Sequence, residues 1–145
     1  MANRSVNVQP LVFERPGFAK SVKETILVVE DEPSLRTLMH LVLERDGYRV
    51  LEARNGEQAA ALSDQYPYSI QMLVTDVMMP GMDGLHLAGH LLARRPDLKV
   101  LYISAYANRE AAMGVRDGRT AFLAKPFTKD LLAKRIRELL DADAG

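Results

Sequence analysis

Five polar side chains that could take part in chemistry lie at the ends of apolar runs. They are Glu30, Asp31, Asp76, Ser104 and Lys125. Carboxylates held close together repel one another, so they either share protons or hold a cation. Because carboxylates offer only oxygen ligands, the favoured cation is hard, and Mg²⁺ fits best.

The other groups in this set suit a phosphoryl group. A lysine ammonium and a hydroxyl can bind phosphoryl oxygens opposite a metal, and a carboxylate can itself be the covalent acceptor. The set therefore predicts phosphoryl transfer to Asp76, with Mg²⁺ held by Glu30, Asp31 and Asp76 and with Lys125 and Ser104 binding the transferred group. Taken singly, Asp76 or Ser104 could be only a turn residue.

These side chains can meet only if the strands that carry them run parallel. Short apolar runs at 26–29, 72–74, 100–103 and 121–124 predict strands, and the alternating stretch 48–53 predicts another. In chain order, the third strand ends at Asp76. Helical spacing follows each one, starting at Pro33, after Asn55-Gly56, after Asp83, at 108–117 and after Thr128. Strict alternation predicts a (βα)₅ doubly wound α/β fold, which gathers the carboxyl ends of its strands at one edge.

Some details of the helices also follow from the sequence. Asp83 and Thr128 are expected to cap the helices after them. The residues expected to face the core from the third helix include Leu85, Ala88 and Leu92. Arg94 and Arg95 should form a solvated helix end. The helix at 108–117 is weaker, because Gly114 costs about 1 kcal/mol relative to alanine.

Composition limits the class of protein. The 145 residues carry 19 basic and 19 acidic side chains and no cysteine, and 48% are hydrophobic. Zero net charge argues against nucleic-acid binding by a basic face, and no apolar run is long enough to span a membrane. We expect a cytoplasmic protein with one domain at 25–142, a tail or linker at 1–24 and a short end at 143–145.

From about residue 24 to residue 142, the chain resembles a response-regulator receiver domain. The matching motifs, in order, are Val28–Pro33, Asp76 followed by Met79–Gly84, Ser104-Ala105, and Lys125-Pro126-Phe127. The resemblance implies a flavodoxin-like sheet of strand order 2-1-3-4-5. The beginning and the end of this region look most like receivers at the C-terminus of hybrid sensor histidine kinases.

The resemblance implies a role for each matching residue. Asp76 matches the phosphoacceptor. Glu30 and Asp31 match the Mg²⁺-binding acidic pair, in which Glu30 replaces a common Asp and can reach the metal through water. The backbone carbonyl of Met78 is implied as a further ligand, and Lys125 as the phosphoryl-binding lysine.

The resemblance also implies a conformational switch. Ser104 matches the hydroxyl that moves toward the phosphoryl group, and Phe122 matches the aromatic residue that turns inward on activation. The bond from Lys125 to Pro126 is expected to be cis. Met78 and Tyr106 lie where relatives tune hydrolysis, and neither can position water well, so we expect a long-lived phosphoryl group.

The implied partners are proteins. A sensor histidine kinase or a histidine phosphotransfer protein would donate the phosphoryl group, and a protein domain would receive the signal. The domain would assist its own phosphorylation and would not be an enzyme with turnover, although a parent protein could be a hybrid kinase. A homodimer is compatible with the resemblance, since many relatives dimerise through the surface built from the fourth strand, the fourth helix and the fifth strand.

Two other functions remain open from the residues. A flavodoxin-type nucleotide binder needs a phosphate loop after the first strand, where this chain has acidic residues instead. An aspartyl-phosphate phosphatase usually has a second Asp two residues after the nucleophile, where this chain has Met78. Among the histidines, His86 and His90 have metal-binding spacing without a third ligand, and His40 fits a helix face better than a phosphorelay site.

Overall fold

The computed structural model describes residues 24–105 and 118–142. The strands are β1 (Thr25–Val29), β2 (Arg49–Ala53), β3 (Met72–Asp76), β4 (Lys99–Ser104) and β5 (Thr120–Ala124). The helices within these ranges are α1 (Pro33–Arg45), α2 (Gly56–Gln65), α3 (Gly84–Arg94) and α4 (Lys129–Asp141). The helix predicted at 108–117 lies outside the described residues.

The five strands form one parallel sheet in the order β2-β1-β3-β4-β5. This order confirms the predicted doubly wound arrangement, with the second strand at an edge. Every residue of β1 and β3 is buried, as expected for central strands covered on both faces. The carboxyl ends of all five strands therefore lie along the same edge of the sheet.

Alternate residues of each strand feed two hydrophobic layers. Ile26 and Val28 pack with Met39 of α1 and Ile136 of α4 on one face. Leu27 and Val29 pack with α2 and α3 on the other face. Successive side chains of a strand point to opposite faces of the sheet. Because helices cover both faces here, the strands are apolar at consecutive positions.

Each described helix is preceded by a residue whose side chain accepts a hydrogen bond from a backbone amide of the first turn. These caps fix the residues at which the preceding loops end. Asp83 accepts from the amide of His86 at 2.8 Å, and Thr128 accepts from the amide of Leu131 at 3.0 Å. Both predicted caps are confirmed. Asn55 caps α2 in the same way, and Glu32 caps α1.

The prediction for the inner face of α3 was partly wrong. Leu87, Ala88 and Leu91 are its buried apolar residues, whereas Leu85 is 57% exposed. At 100° per residue, Leu85 stands about 200° around the helix from Leu87 and so faces away from the core. Leu92 is partly buried against the same layer.

The second arginine at the end of α3 is not solvated as predicted. The guanidinium of Arg95 donates to the carbonyl oxygens of Ser63, Tyr66 and Tyr68 and to the Ser63 hydroxyl, at 2.8–3.0 Å. It thereby satisfies carbonyls at the end of α2 that have no partner within the helix. Arg94 remains more exposed and pairs with Asp64 at 3.3 Å.

Within residues 24–105 and 118–142, the helices are all too short or too polar to cross a lipid bilayer.

Candidate acidic site at the carboxyl edge of the sheet

Three charged side chains from three different strand ends meet at one point. Glu30 directly follows β1, Asp76 is the last residue of β3, and Lys125 directly follows β5. The Lys125 Nζ lies 2.9 Å from Asp76 Oδ1 and 3.3 Å from Glu30 Oε1. The shared edge of a parallel sheet thus brings together groups that are up to 95 positions apart in the chain.

Asp31 completes a cluster of three carboxylates. One oxygen each from Glu30, Asp31 and Asp76 lies within 4.8 Å of the others. Glu30 and Asp76 are only 1% and 5% exposed, whereas Asp31 is exposed. The cluster is therefore closed on the side of the sheet and open on the side of Asp31.

The donor set fits a hard divalent cation. All three side chains offer oxygen, and an exposed third member leaves room for the waters that Mg²⁺ retains. The Oε1 atom of Glu30 is buried and accepts no hydrogen bond from the described residues, although the Lys125 ammonium is its ionic neighbour. A buried carboxylate oxygen is costly unless positive charge faces it, so an oxygen that already faces an ammonium suits a pocket for cations.

The electrostatics of the pocket are dominated by burial and by the crowding of the carboxylates. Burial, followed by the hydrogen bond and charge of Asp76, raises the pKa of Glu30 to about 7, against the opposing effects of the Glu32 amide and Lys125. Burial lowers the pKa of Lys125, but Asp76 and Glu30 more than reverse this and keep it above its ordinary value. Lys125 therefore stays a cation beside the two carboxylates.

The backbone around Asp76 is fixed by close packing. The amide of Gly84 donates to the carbonyl of Val77 at 2.9 Å, which closes the loop between β3 and α3. A Cβ atom at Gly84 would lie 3.0 Å from the carbonyl carbon of Asp76 and 3.1 Å from the Cα of Val77. Only glycine permits this approach of α3 to the acidic residue.

The loop between β3 and α3 is also held by α2. The carboxylate of Glu57 accepts from the amide of Met82 at 3.1 Å. Gly81, beside it, has a φ of 76°, a conformation that suits glycine. Met78 lies in this loop and is 68% exposed.

The remaining predicted site residues lie on β4 and β5. Ser104 ends β4 next to Ala124, and its carbonyl accepts from the amide of Lys125 at 3.0 Å. Phe122 is 7% exposed and stacks on Tyr102, with ring centroids 5.3 Å apart. The bond between Lys125 and Pro126 is cis, as predicted.

The histidines do not join this site. His86 contacts Asp83 at 3.3 Å, and His90 contacts Asp64 at 3.3 Å, so the two rings have different carboxylate neighbours. His40 on α1 pairs with Glu52 of β2. In the part of the chain that the structure describes, the carboxylates of Glu30, Asp31 and Asp76 form the cluster that fits a metal.

Sequence reasoning missed two contributions to the site. The side chain of Glu32 caps α1, and its amide donates to Glu30 Oε2 at 3.0 Å. Arg36 was not singled out, yet its guanidinium donates to the carbonyl of Glu30 at 2.7 Å. A signal for Glu32 was present, because an acceptor directly before a proline at the first helical position suits a cap.

A family model described as the response regulator receiver domain matches residues 26–137. The chain belongs to the response regulator receiver family. Such a receiver domain is the signal-accepting module of two-component systems, and the predicted family and fold are both confirmed.

Similar proteins differ in what accompanies the receiver domain. The sensor kinase CckA of Brucella abortus is 36% identical over 118 residues, which cover 81% of this chain and 12% of that protein. The response regulator GtcR of Aneurinibacillus migulanus is 36% identical over 121 residues, covering 82% of this chain and 48% of that protein. The chain thus spans half or less of the length of these curated relatives.

Solved receiver domains have the same architecture. The crystal structure of the receiver domain from the hybrid histidine kinase CckA has a TM-score of 0.69 at 33% identity and covers 81% of this chain and 99% of that chain. The response regulator TrrA of Thermotoga maritima, solved in complex with Mg²⁺-BeF, has a TM-score of 0.64 at 30% identity, with coverage of 81% and 99%.

Proposed function

We propose that this receiver domain accepts a phosphoryl group on Asp76 in a Mg²⁺-dependent reaction and changes conformation in response. The observation that carries the proposal is the contact of the Lys125 ammonium with Asp76 at 2.9 Å, beside the buried carboxylate of Glu30. A carboxylate acceptor, an acidic partner for a metal and a cation for phosphoryl oxygens occupy one site. We take residues 25–142 as the unit that carries it.

The metal site of the proposal consists of Glu30, Asp31, Asp76 and the backbone carbonyl of Met78. When bound there, Mg²⁺ neutralises charge on the phosphoryl oxygens. Glu30 is fixed from one side by the Glu32 amide, which leaves its Oε1 atom directed at Lys125 and the cluster. Its length relative to Asp allows it to act on the metal through water.

The transfer forms one bond and breaks another. A carboxylate oxygen of Asp76 bonds to phosphorus, while the bond from phosphorus to a histidine nitrogen of the donor breaks and that nitrogen is left to bind a proton. Lys125 pairs with the phosphoryl oxygens as Asp76 loses its own charge, and Ser104 donates its hydroxyl to them. The added charge favours the conformation in which Ser104 and Phe122 have moved.

The partners in this proposal are a sensor histidine kinase or a histidine phosphotransfer protein as donor and a protein output domain as receiver of the signal. The similarity to the receiver of a hybrid histidine kinase supports a parent protein of that kind. The domain would work in the cytoplasm, where ATP supplies the phosphoryl groups of kinases, and would not turn over a substrate.

The test is the mass of the intact protein after incubation with acetyl phosphate and Mg²⁺. The parent and Asp97→Asn, a control at an exposed aspartate before β4, should each gain one phosphoryl group. Asp76→Asn, and the parent with the metal chelated, should gain none. Equal labelling of Asp76→Asn and the parent would show that the acceptor is elsewhere, and an unmodified parent would contradict the proposed reaction.

A further inference from the structure

The turn that carries the acidic pair is held at its backbone from two sides. The chain leaves β1 after Val29, and the amide of Glu30 donates to the carbonyl of Ala53 on β2 at 3.2 Å. The carbonyl of Glu30 accepts instead from Nη1 of Arg36, in the second turn of α1, at 2.7 Å. Because Glu30 is 1% exposed, this charged donor satisfies a carbonyl at a position that is nearly closed to water.

The guanidinium of Arg36 is itself anchored. Its Nε lies 3.4 Å from Oε1 of Glu52 on β2, and the other oxygen of Glu52 contacts the ring of His40. The side chain of Arg36 is 21% exposed, so this pair is only partly screened by solvent. One planar group thus connects the edge strand β2 to the turn that carries Glu30 and Asp31.

This double contact uses the geometry of arginine. A guanidinium presents several N–H donors in a rigid fork and can bind a carbonyl and a carboxylate at once, whereas a lysine ammonium is a point charge on a flexible stem. We infer that Arg36 is a positioning residue of the acidic site, which holds Glu30 and Asp31 at the spacing from Asp76 that a divalent cation requires. The inference rests on the proposed function, since it concerns the same metal site.

Two possible roles of Arg36 predict opposite changes in divalent-cation binding when its side chain is removed. If Arg36 were only a nearby positive charge, its loss would strengthen the binding of a divalent cation, because like charges repel. If Arg36 holds the acidic pair in place, its loss weakens that binding. Loss of a group that orients a metal ligand typically weakens metal binding by about 10- to 100-fold.

The experiment is a Mg²⁺ titration of the full chain, followed by ¹H–¹⁵N NMR of the backbone amides. Arg36→Met should raise the Mg²⁺ dissociation constant about 10-fold or more, within the range expected for ligand-orienting groups. Arg36→Lys should also raise it, although the charge is kept. Arg94→Met, which removes an ion pair at the far end of α3, should leave it unchanged.

A second readout separates positioning from loss of stability. The Glu32 amide, which hydrogen-bonds to Glu30 Oε2, should change its chemical shift in both Arg36 variants before any metal is added, while amides of α3 keep theirs. If Arg36→Met does not fold, Arg36→Lys decides the question. Unchanged or tighter Mg²⁺ binding in the Arg36 variants would overturn the inference alone. Failure of the parent to bind Mg²⁺ would overturn the proposed function with it.

Discussion

A substitution at Gly84 would disturb the acidic site without changing any of its charged side chains. A Cβ atom at this position would lie 3.0 Å from the carbonyl carbon of Asp76 and closer still to its carbonyl oxygen. Since carbon atoms in good contact are about 3.5–4.0 Å apart, the carbon contact alone requires roughly 0.5–1 Å of movement between α3 and the end of β3, and the closer contact to the oxygen requires more. The residue that must yield is the proposed phosphoacceptor itself.

The substitution Gly84→Ala should therefore act on stability and on chemistry together. Overpacking of this kind typically costs about 1–3 kcal/mol in the free energy of unfolding. A misplacement of about 1 Å can lower a reaction rate by about 100-fold, so we expect phosphorylation by acetyl phosphate to slow by about 10- to 100-fold. Urea denaturation and the rate of mass gain measure the two effects.

Gly89 supplies a matched control on the same helix. A Cβ atom there meets nothing within 4 Å outside the local backbone of the helix. Gly89→Ala should raise the free energy of unfolding by about 0.5–1 kcal/mol through helix propensity and leave the phosphorylation rate unchanged. If Gly84→Ala proved as stable as the parent and reacted as fast, the assigned packing of α3 against Asp76 would be refuted.

Three further outcomes follow from other contacts. Lys99→Met should lower the free energy of unfolding, measured by urea denaturation, by about 1–2 kcal/mol. The reason is that the Lys99 ammonium donates to three carbonyl oxygens at the end of α4. An unchanged free energy of unfolding would contradict this role. The hydrogen bond from the His86 amide lowers the pKa of Asp83, so its contribution to stability is present above its ordinary pKa and is lost as pH falls through the lower folded value. Asp83→Asn should therefore lose less stability than the parent between about pH 5 and pH 3, and parallel curves would argue against the cap. The phosphorylated protein should lose its phosphoryl group slowly, because the exposed thioether of Met78 cannot orient water. Decay within seconds would count against this. Tyr106, the other residue of that prediction, lies outside the described residues.

The sheet and the acidic cluster could be predicted because both depend on local pattern. Buried parallel strands show as uninterrupted apolar runs, and their carboxyl ends must share an edge, so Glu30, Asp76 and Lys125 could be placed together without knowing any contact. Asp83 and Thr128 could be assigned as caps because capping depends on residue type at a helix start.

The wrong predictions concern features that depend on contacts between elements that are distant in sequence. The rotation of α3 about its axis exposes Leu85, and two apolar residues close in sequence do not fix that rotation. Arg95 and Arg36 both satisfy carbonyls of other elements, which no helical spacing reveals. The stacking of Phe122 on Tyr102 was not predicted, because it depends on the register between β4 and β5.

The assignment of Asp76 as the phosphoacceptor can be tested most directly by trapping the product. Borohydride reduces an acyl phosphate to an alcohol, so an aspartate that carries a phosphoryl group becomes homoserine, which peptide mass spectrometry can locate. After reaction with acetyl phosphate and Mg²⁺, we expect homoserine at position 76 and at no other aspartate, and only when the metal is present. Homoserine at another position, or aspartate unchanged at position 76 in protein that has gained a phosphoryl group, would contradict it.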